Sequence, residues 1–357
     1  MNTDRPSTSV YSDLRGVTFE YCELLKNEWN GLYLAKCITG STLGVFSGYI
    51  FPIFSIIALI TNSIFIYVFF KDKPSMPRHM IYMICISISG TLTDISVGWL
   101  WLFPSRGLPY TTKGSIYFSP FLLSPASCRL HRLFHSFTST SIINLLVLAA
   151  VDRCLAISIP VKFSKLPPHY AWYACGVVWL FSFFMMLPFI FFVQWNDKKD
   201  GFHCWVSLAH QFFHVYHTLF SNFGPIQTVI LLFLNLTFLL FTRKYLQNRI
   251  VQECTRRMNR KEVRICLLML ILSTFYIAIS IPQAICLLLA RMAVNLSKIH
   301  KMIAYDIAHL MWSLNAVREI ADFIVYAIYF KPLKYLLTNW CLTVKSLYKR
   351  ILRYIKC

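Results

Sequence analysis

The chain has 357 residues, 57% of them apolar and 16% aromatic, with only 14% charged. A soluble globule is nearer to about 45–50% apolar, so a soluble enzyme is excluded, and the charges gather in short clusters between long apolar runs, as they must where lipid cannot hydrate them. The formal net charge of +20 does not point to nucleic acid, which would need a basic face on a soluble fold.

The chain opens on MNTDRPSTS, without the basic start and apolar core of a cleavable signal peptide. The first spanning helix is therefore expected to direct its own insertion, with residues 1–42 as a polar extracellular tail or small cap. Seven runs are long enough to cross a bilayer, where about 20 residues at about 1.5 Å each span the hydrocarbon. They lie near 43–70, 80–103, 128–152, 170–193, 214–241, 265–290 and 303–330. The third and seventh are the least hydrophobic, carrying His131, Arg132, His135, Arg318 and Glu319, and are expected to face the interior of a bundle. Pro167-Pro168 separates the third run from the fourth. No internal repeat or low-complexity tract is visible.

The expected architecture is thus an all-α membrane protein: a seven-transmembrane bundle over 43–330, followed at Lys331-Pro-Leu333-Lys334 by a short amphipathic eighth helix in the segment 331–357. Cys341 in that segment is a candidate palmitoylation site. With the N-terminus outside, 21 of the 35 Lys and Arg residues fall on the cytoplasmic side and 13 on the other, with Arg318 buried. This asymmetry orients the chain in the plasma membrane, and the basic 242–264 loop that dominates it suits anionic membrane lipid. Asn295-Leu-Ser297 is an outer-loop glycosylation candidate. The twelve cysteines show no regular zinc spacing, and half of them lie within apolar runs; no cofactor is expected.

An ordered set of marks then appears, one or more per run. Cys128 tops the third run, Asp152-Arg153 follows 24 residues later and Pro160 eight residues after the acid. Thr61-Asn62 stands in the first, Asp94 in the second, Trp179 in the fourth, Pro225 in the fifth, Pro282 in the sixth and Asp322-Phe-Ile-Val-Tyr326 in the seventh. In these spacings residues 45–340 resemble the rhodopsin-like G-protein-coupled receptors. The resemblance implies a disulfide between Cys128 and Cys204 and a heterotrimeric G protein as the cytoplasmic partner. It also implies a resting-state bridge between Arg153 and Glu262, which stands 20 residues before Pro282. Such a bidentate arginine–carboxylate bridge is strong enough to bias an equilibrium of a few kcal/mol. The other reading of the same two residues is ordinary interfacial charge. Cys22 and Cys37 are available for a second outer bridge, supported by parity alone.

Pro225 and Pro282 are expected to kink their helices in the middle, and Pro225, Ile143 and Tyr276 occupy the places of the family's core trio, with Tyr for the usual Phe. Departures are plain: Ser280 stands where Trp is usual, Phe233 for the helix-five Tyr, Cys154 for the Tyr after Asp-Arg, and Phe323 for the helix-seven Pro. Arg318, one turn before Asp322, is expected to take the place of a sodium ion by bridging Asp94 and Asp322, with Glu319 facing elsewhere. The alternative is that Arg318 pairs with Glu319 or with helix-six carbonyls.

His135, seven residues after Cys128, stands where the family's amine receptors carry Asp, and Ala316 where opsins carry their retinal-binding Lys, so neither class is expected. Arg129, His131, Arg132 and His135, with Trp205, suit an anionic or carbonyl-rich ligand: a peptide first, an acidic lipid or other small chemosensory ligand second. Lipid headgroups are the bland alternative for the same basic side chains. The rival function is a membrane-embedded zinc hydrolase built on His131, His135, His210, His214 and His217, whose spacing puts imidazoles on one helical face. Against it, the nearby carboxylates are few and lie amid arginines that repel a cation. A transporter would show inverted repeats, and none is visible.

Overall fold

The computed structural model describes residues 21–71, 77–116, 118–120, 123–159, 166–198, 201–206, 211–221, 224–251, 260–292 and 296–329. Seven helical rods dominate them. In α1, Gly31–Val45, the wide turn Phe46–Ile50 and Phe51–Lys71 follow without a break; Asn30 caps its start, the side chain accepting from the Leu32 amide at 2.9 Å. The rod therefore begins well within the stretch read from sequence as tail. In α2, Arg78–Thr93 runs into Asp94–Gly107, wound as a π-helix and containing Pro104, and ends with Leu108–Thr111.

α3, Pro125–Ser158, is the longest uninterrupted α-helix described. Its start is specified locally: Ser124 and Ser127 exchange side-chain to backbone hydrogen bonds at 3.0 Å, with Pro125 in the first turn. α4 spans His169–Met186, directly after Pro167-Pro168, and the short turn Phe189–Phe192 leads into a hairpin of β1 (Val193–Lys198) and β2 (Gly201–Val206). The strands are antiparallel, with Trp195 opposite Cys204. α5 comes in two pieces, Gln211–Phe220 and Pro225–Val251, followed by α6, Arg260–Met292, and α7, Lys298–Tyr329.

α3 threads the middle, touching α2, α4, α5 and α6, while α7 closes the ring between α6 and α1. The core holds Ile84, Ile142, Ile143, Tyr276 and Trp312. Large apolar side chains instead face outward on α4 (Val177, Leu180, Phe181, Phe184) and α5 (Val229, Phe233, Leu236, Leu240). A hydrocarbon surround suits such a surface. Among the described residues six rods are long and apolar enough to cross a membrane; α7 is not among them, because it carries Asp306, Arg318, Glu319 and Asp322 into the bundle.

Helices α1 and α2 cross closely on glycines, a small-residue packing that lets backbones approach where lipid supplies no hydrophobic drive. A methyl group on Gly107 would sit 2.6 Å from the Ser47 carbonyl oxygen and 3.0 Å from the Gly48 Cα, and one on Gly48 3.1 Å from the Gly107 oxygen. Because both obstacles are backbone, Gly107→Ala is expected to cost about 1–3 kcal/mol, read as a lower thermal midpoint of the purified protein. Gly176→Ala, with nothing within 4 Å, serves as the neutral control. Equal midpoints for the two variants would refute the close crossing.

Candidate functional site

At one end of α3 the sequence places two opposite charges next to each other where a helix leaves the apolar layer. Asp152 is buried and accepts from the Tyr82 hydroxyl of α2 at 2.9 Å, and Arg153 donates to its other oxygen. His79 lies one turn from Tyr82, also buried. Cys154 points to α5, its thiol 3.7 Å from the Leu234 carbonyl. Glu262 lies in α6, but its side chain, and with it the expected Arg153–Glu262 bridge, is outside the described residues.

Midway along the bundle is a second polar group. The Arg318 guanidinium, 2% exposed, lies 3.6 Å from Glu319 and 3.9 Å from Asp322, with the Tyr276 ring 5.2 Å away. Asn62 of α1 donates to Glu319 at 2.8 Å and lies 3.3 Å from Thr91. Asp94 accepts from Ser55 at 3.2 Å, and the Ser55 oxygen in turn accepts from the Trp99 indole at 2.9 Å. Trp179 of α4 donates to Ser89 of α2 at 2.9 Å.

At the far end, the hairpin is held over the bundle by the Cys128–Cys204 disulfide, and Cys22–Cys37 closes a second bridge near the start of α1. Beneath the hairpin, Arg132 donates to the Cys204 carbonyl at 3.0 Å, and His131 Nε2 lies 2.9 Å from the Ser96 carbonyl of α2. A file of rings continues inward: His131 to His135 at 5.9 Å, His135 to Trp101 at 5.7 Å, Trp101 to His309 at 4.7 Å and His309 to Tyr305 at 6.1 Å. Lys36 of α1 forms a buried ion pair with Asp306 of α7.

The family described as the 7 transmembrane receptor (rhodopsin family) matches residues 61–318. The chain belongs to this receptor family. It is similar to the somatostatin receptor type 5 of Bos taurus, 27% identical over 208 residues, which are 57% of this chain and 52% of that one. It is also similar to the cysteinyl leukotriene receptor 1 of Mus musculus, 24% identical over 188 residues, half of each chain. Each match therefore spans about half of the relative's own length. The family and these relatives are receptors, and the chain is not an enzyme.

Within this rhodopsin-family bundle three expectations change. Arg318 does not bridge Asp94 and Asp322: it pairs with Glu319 and Asp322, and Glu319 faces inward. The reason is space and prior occupancy. Gly90 has no side chain where the Glu319 carboxylate rests, a methyl there falling 2.6 Å from its oxygen, while Asp94 is taken up by Ser55. Pro225 does not kink the middle of α5; it starts that rod's second piece, as proline at a first helical position does. The break leaves the Phe220 carbonyl to Gln227 at 3.3 Å and Thr140 at 3.4 Å. Ile143 and Tyr276 are fully buried in the shared core, whereas Pro225 is only partly buried. Pro282 does lie inside α6, which runs on through it.

The histidines of the hydrolase reading disperse. His131 engages a backbone carbonyl, His135 packs on Trp101, and His217 lies 2.6 Å from Arg291. Among the described residues no three His, Cys, Asp or Glu side chains gather as metal ligands; His210 and the side chain of His214 lie outside them. Of the candidate ligand residues, His135 is buried, His131 and Arg132 partly so, and Arg129 is exposed. The side chains of Trp205 and Tyr326 lie outside the described residues, as do Asn295, Cys341 and the whole segment 331–357. Sequence reasoning overlooked Lys36, Trp101, Arg106, Arg291, Tyr305 and His309, scattered single residues in four different rods. The only signal available was that charged and ring residues recur at the same end of each.

Proposed function

We propose that this receptor carries an extracellular signal, a peptide in the first instance, to a heterotrimeric G protein docking beside Arg153 when the end of α6 opens. The observation that carries the reading is Asp152–Arg153: a charge pair at the base of α3, held by Tyr82, on the side where the Lys and Arg residues concentrate. A pair placed at that boundary has two stable environments, paired within the bundle or hydrated at the headgroups, which is what a two-state switch needs. The same charge asymmetry supports an extracellular N-terminus in the plasma membrane. The somatostatin receptor relative favours a peptide, and the leukotriene receptor relative supports an acidic lipid as the second reading.

The test uses second-messenger output in cells at matched surface expression. Arg153→Ala is expected to abolish it. Glu262→Ala is expected to raise agonist-free output by up to about tenfold, the population shift that about 1.4 kcal/mol produces. Basal output unchanged in Glu262→Ala would sink the Arg153–Glu262 bridge, and full signalling by Arg153→Ala would sink the assignment of the switch.

A further inference from the structure

Where α6 passes α5 in the half of the bundle nearer Arg153, one polar contact interrupts an apolar layer. Asn235 of α5 donates to the Ser273 hydroxyl of α6 at 2.9 Å, and that hydroxyl lies 3.1 Å from the Asn235 carbonyl oxygen. Both side chains are 6% exposed, and Phe238, Leu270 and Leu272 stand around them. In such surroundings a carboxamide without a partner is costly, so the bond fixes how the two helices lie against each other. Among the described residues Asn235 hydrogen-bonds Ser273 alone through its side chain.

Packing at this level is incomplete. Asn235, Ser273 and Arg153 line one cavity together with Leu146 of α3 and Phe238 of α5, and atoms that face open space lack packing partners. α5 is fastened broadly to α3, with the Cys154 thiol 3.7 Å from the Leu234 carbonyl, whereas α6 leans on α7 and α5 and hardly touches α3. Pro282 follows Ser273 by nine residues in α6. A proline inside a helix lets it bend, so the Asn235–Ser273 bond sits on the part of α6 that can swing. Ser273 gives the bond up cheaply. Its hydroxyl carries one hydrogen and has two acceptors at 3.1 Å, Asn235 Oδ1 and the Leu270 carbonyl of its own helix. With α6 displaced, the hydrogen stays with Leu270, and only Asn235 loses a partner.

We propose that Asn235 and Ser273 form a latch that holds the inner half of α6 against α5, so that α6 opens beside Arg153 only when this bond breaks. The inference rests on the reading of α6 as the helix that opens, and it adds the contact that opposes the opening. A hydrogen bond between membrane helices shifts an equilibrium by about threefold to tenfold. That is enough to bias the receptor toward rest and little enough for a bound ligand to overcome.

The experiment measures amide hydrogen exchange of the full-length receptor in nanodiscs without G protein, beside agonist-free second-messenger output in cells at matched surface expression. Asn235→Leu and Ser273→Ala are each expected to speed exchange over residues 264–275 by about threefold to tenfold and to raise basal output, with exchange in α1 to α4 unmoved. The double variant should go no further than either single one, because the same bond is lost only once. Ser273→Thr keeps the hydroxyl and should stay near the parent. The latch is overturned if exchange over 264–275 is unmoved in both single variants, or if the double variant shows the product of the two single effects. It is overturned equally if exchange rises in every helix with a lower thermal midpoint, which marks a brace of the whole fold, or if a signalling receptor's basal output stays flat while α6 exchange rises. Faster α6 exchange in a receptor without Arg153-dependent output sinks the functional reading above and leaves the latch. Arg153-dependent output with unmoved α6 exchange sinks the latch alone.

Discussion

Arg318→Met is expected to cost about 3–5 kcal/mol of stability, the range for removing one partner of a buried ion pair. Methionine fills much of the same volume against Tyr276 but leaves Glu319 and Asp322 without the cation that lies 3.6 and 3.9 Å from them. Asp94, 1% exposed and close by, adds a third carboxylate to that part of the bundle. Asn62 continues to donate to Glu319, yet a neutral donor offsets only a fraction of the charge. The variant should melt much lower than the parent and reach the cell surface poorly. Adding Glu319→Gln should recover at least half of the loss, because glutamine keeps the bond to Asn62 and removes the charge. A thermal midpoint for Arg318→Met within about a degree of the parent would mean that the guanidinium does not compensate these acids.

Asp306→Ala should cost a similar amount, about 3–5 kcal/mol, nearer the start of the same helix. The change strands the Lys36 ammonium, 1% exposed, near Arg106, where no other buried carboxylate is available among the described residues. Because Lys36 lies within the part of α1 that precedes the apolar run, its pairing is what fastens that part to α7. The double change Lys36→Met with Asp306→Leu is the informative partner. Replacing a whole buried pair with apolar side chains of similar volume is often neutral or stabilising, so the double variant should unfold near the parent midpoint. If the double variant is as unstable as Asp306→Ala, lost packing rather than a stranded charge is responsible.

These two pairs mark the limit of what could be read along the chain. Seven spans, the Asp152–Arg153 pair at the base of the third and the cysteine at its top all follow from local composition and spacing, since a segment in lipid must carry its own apolar surface and satisfy its own backbone. The pairing of Arg318 with Asp322 was also legible, being one helical turn apart. Its pairing with Glu319 was not: adjacent helical residues point about 100° apart, and Glu319 turned inward because Gly90 left it room and Asn62 a donor. Likewise, proline in an apolar run reads as a kink, whereas Pro225 begins a new helical piece after Gly224, where Gln227 and Thr140 cover the freed carbonyl.

Lys36 shows the same division most clearly. As a lone cation in a polar stretch it reads as tail, and its carboxylate stands 270 residues away in sequence. The sequence by itself determined the membrane class, the number of spans, the family and the position of the Asp152–Arg153 pair, because each depends on residues within one helix or on fixed distances along one. The tertiary structure alone decided which charges share a partner, because that depends on how each helix is rotated about its axis and on the gaps that glycines leave between neighbours.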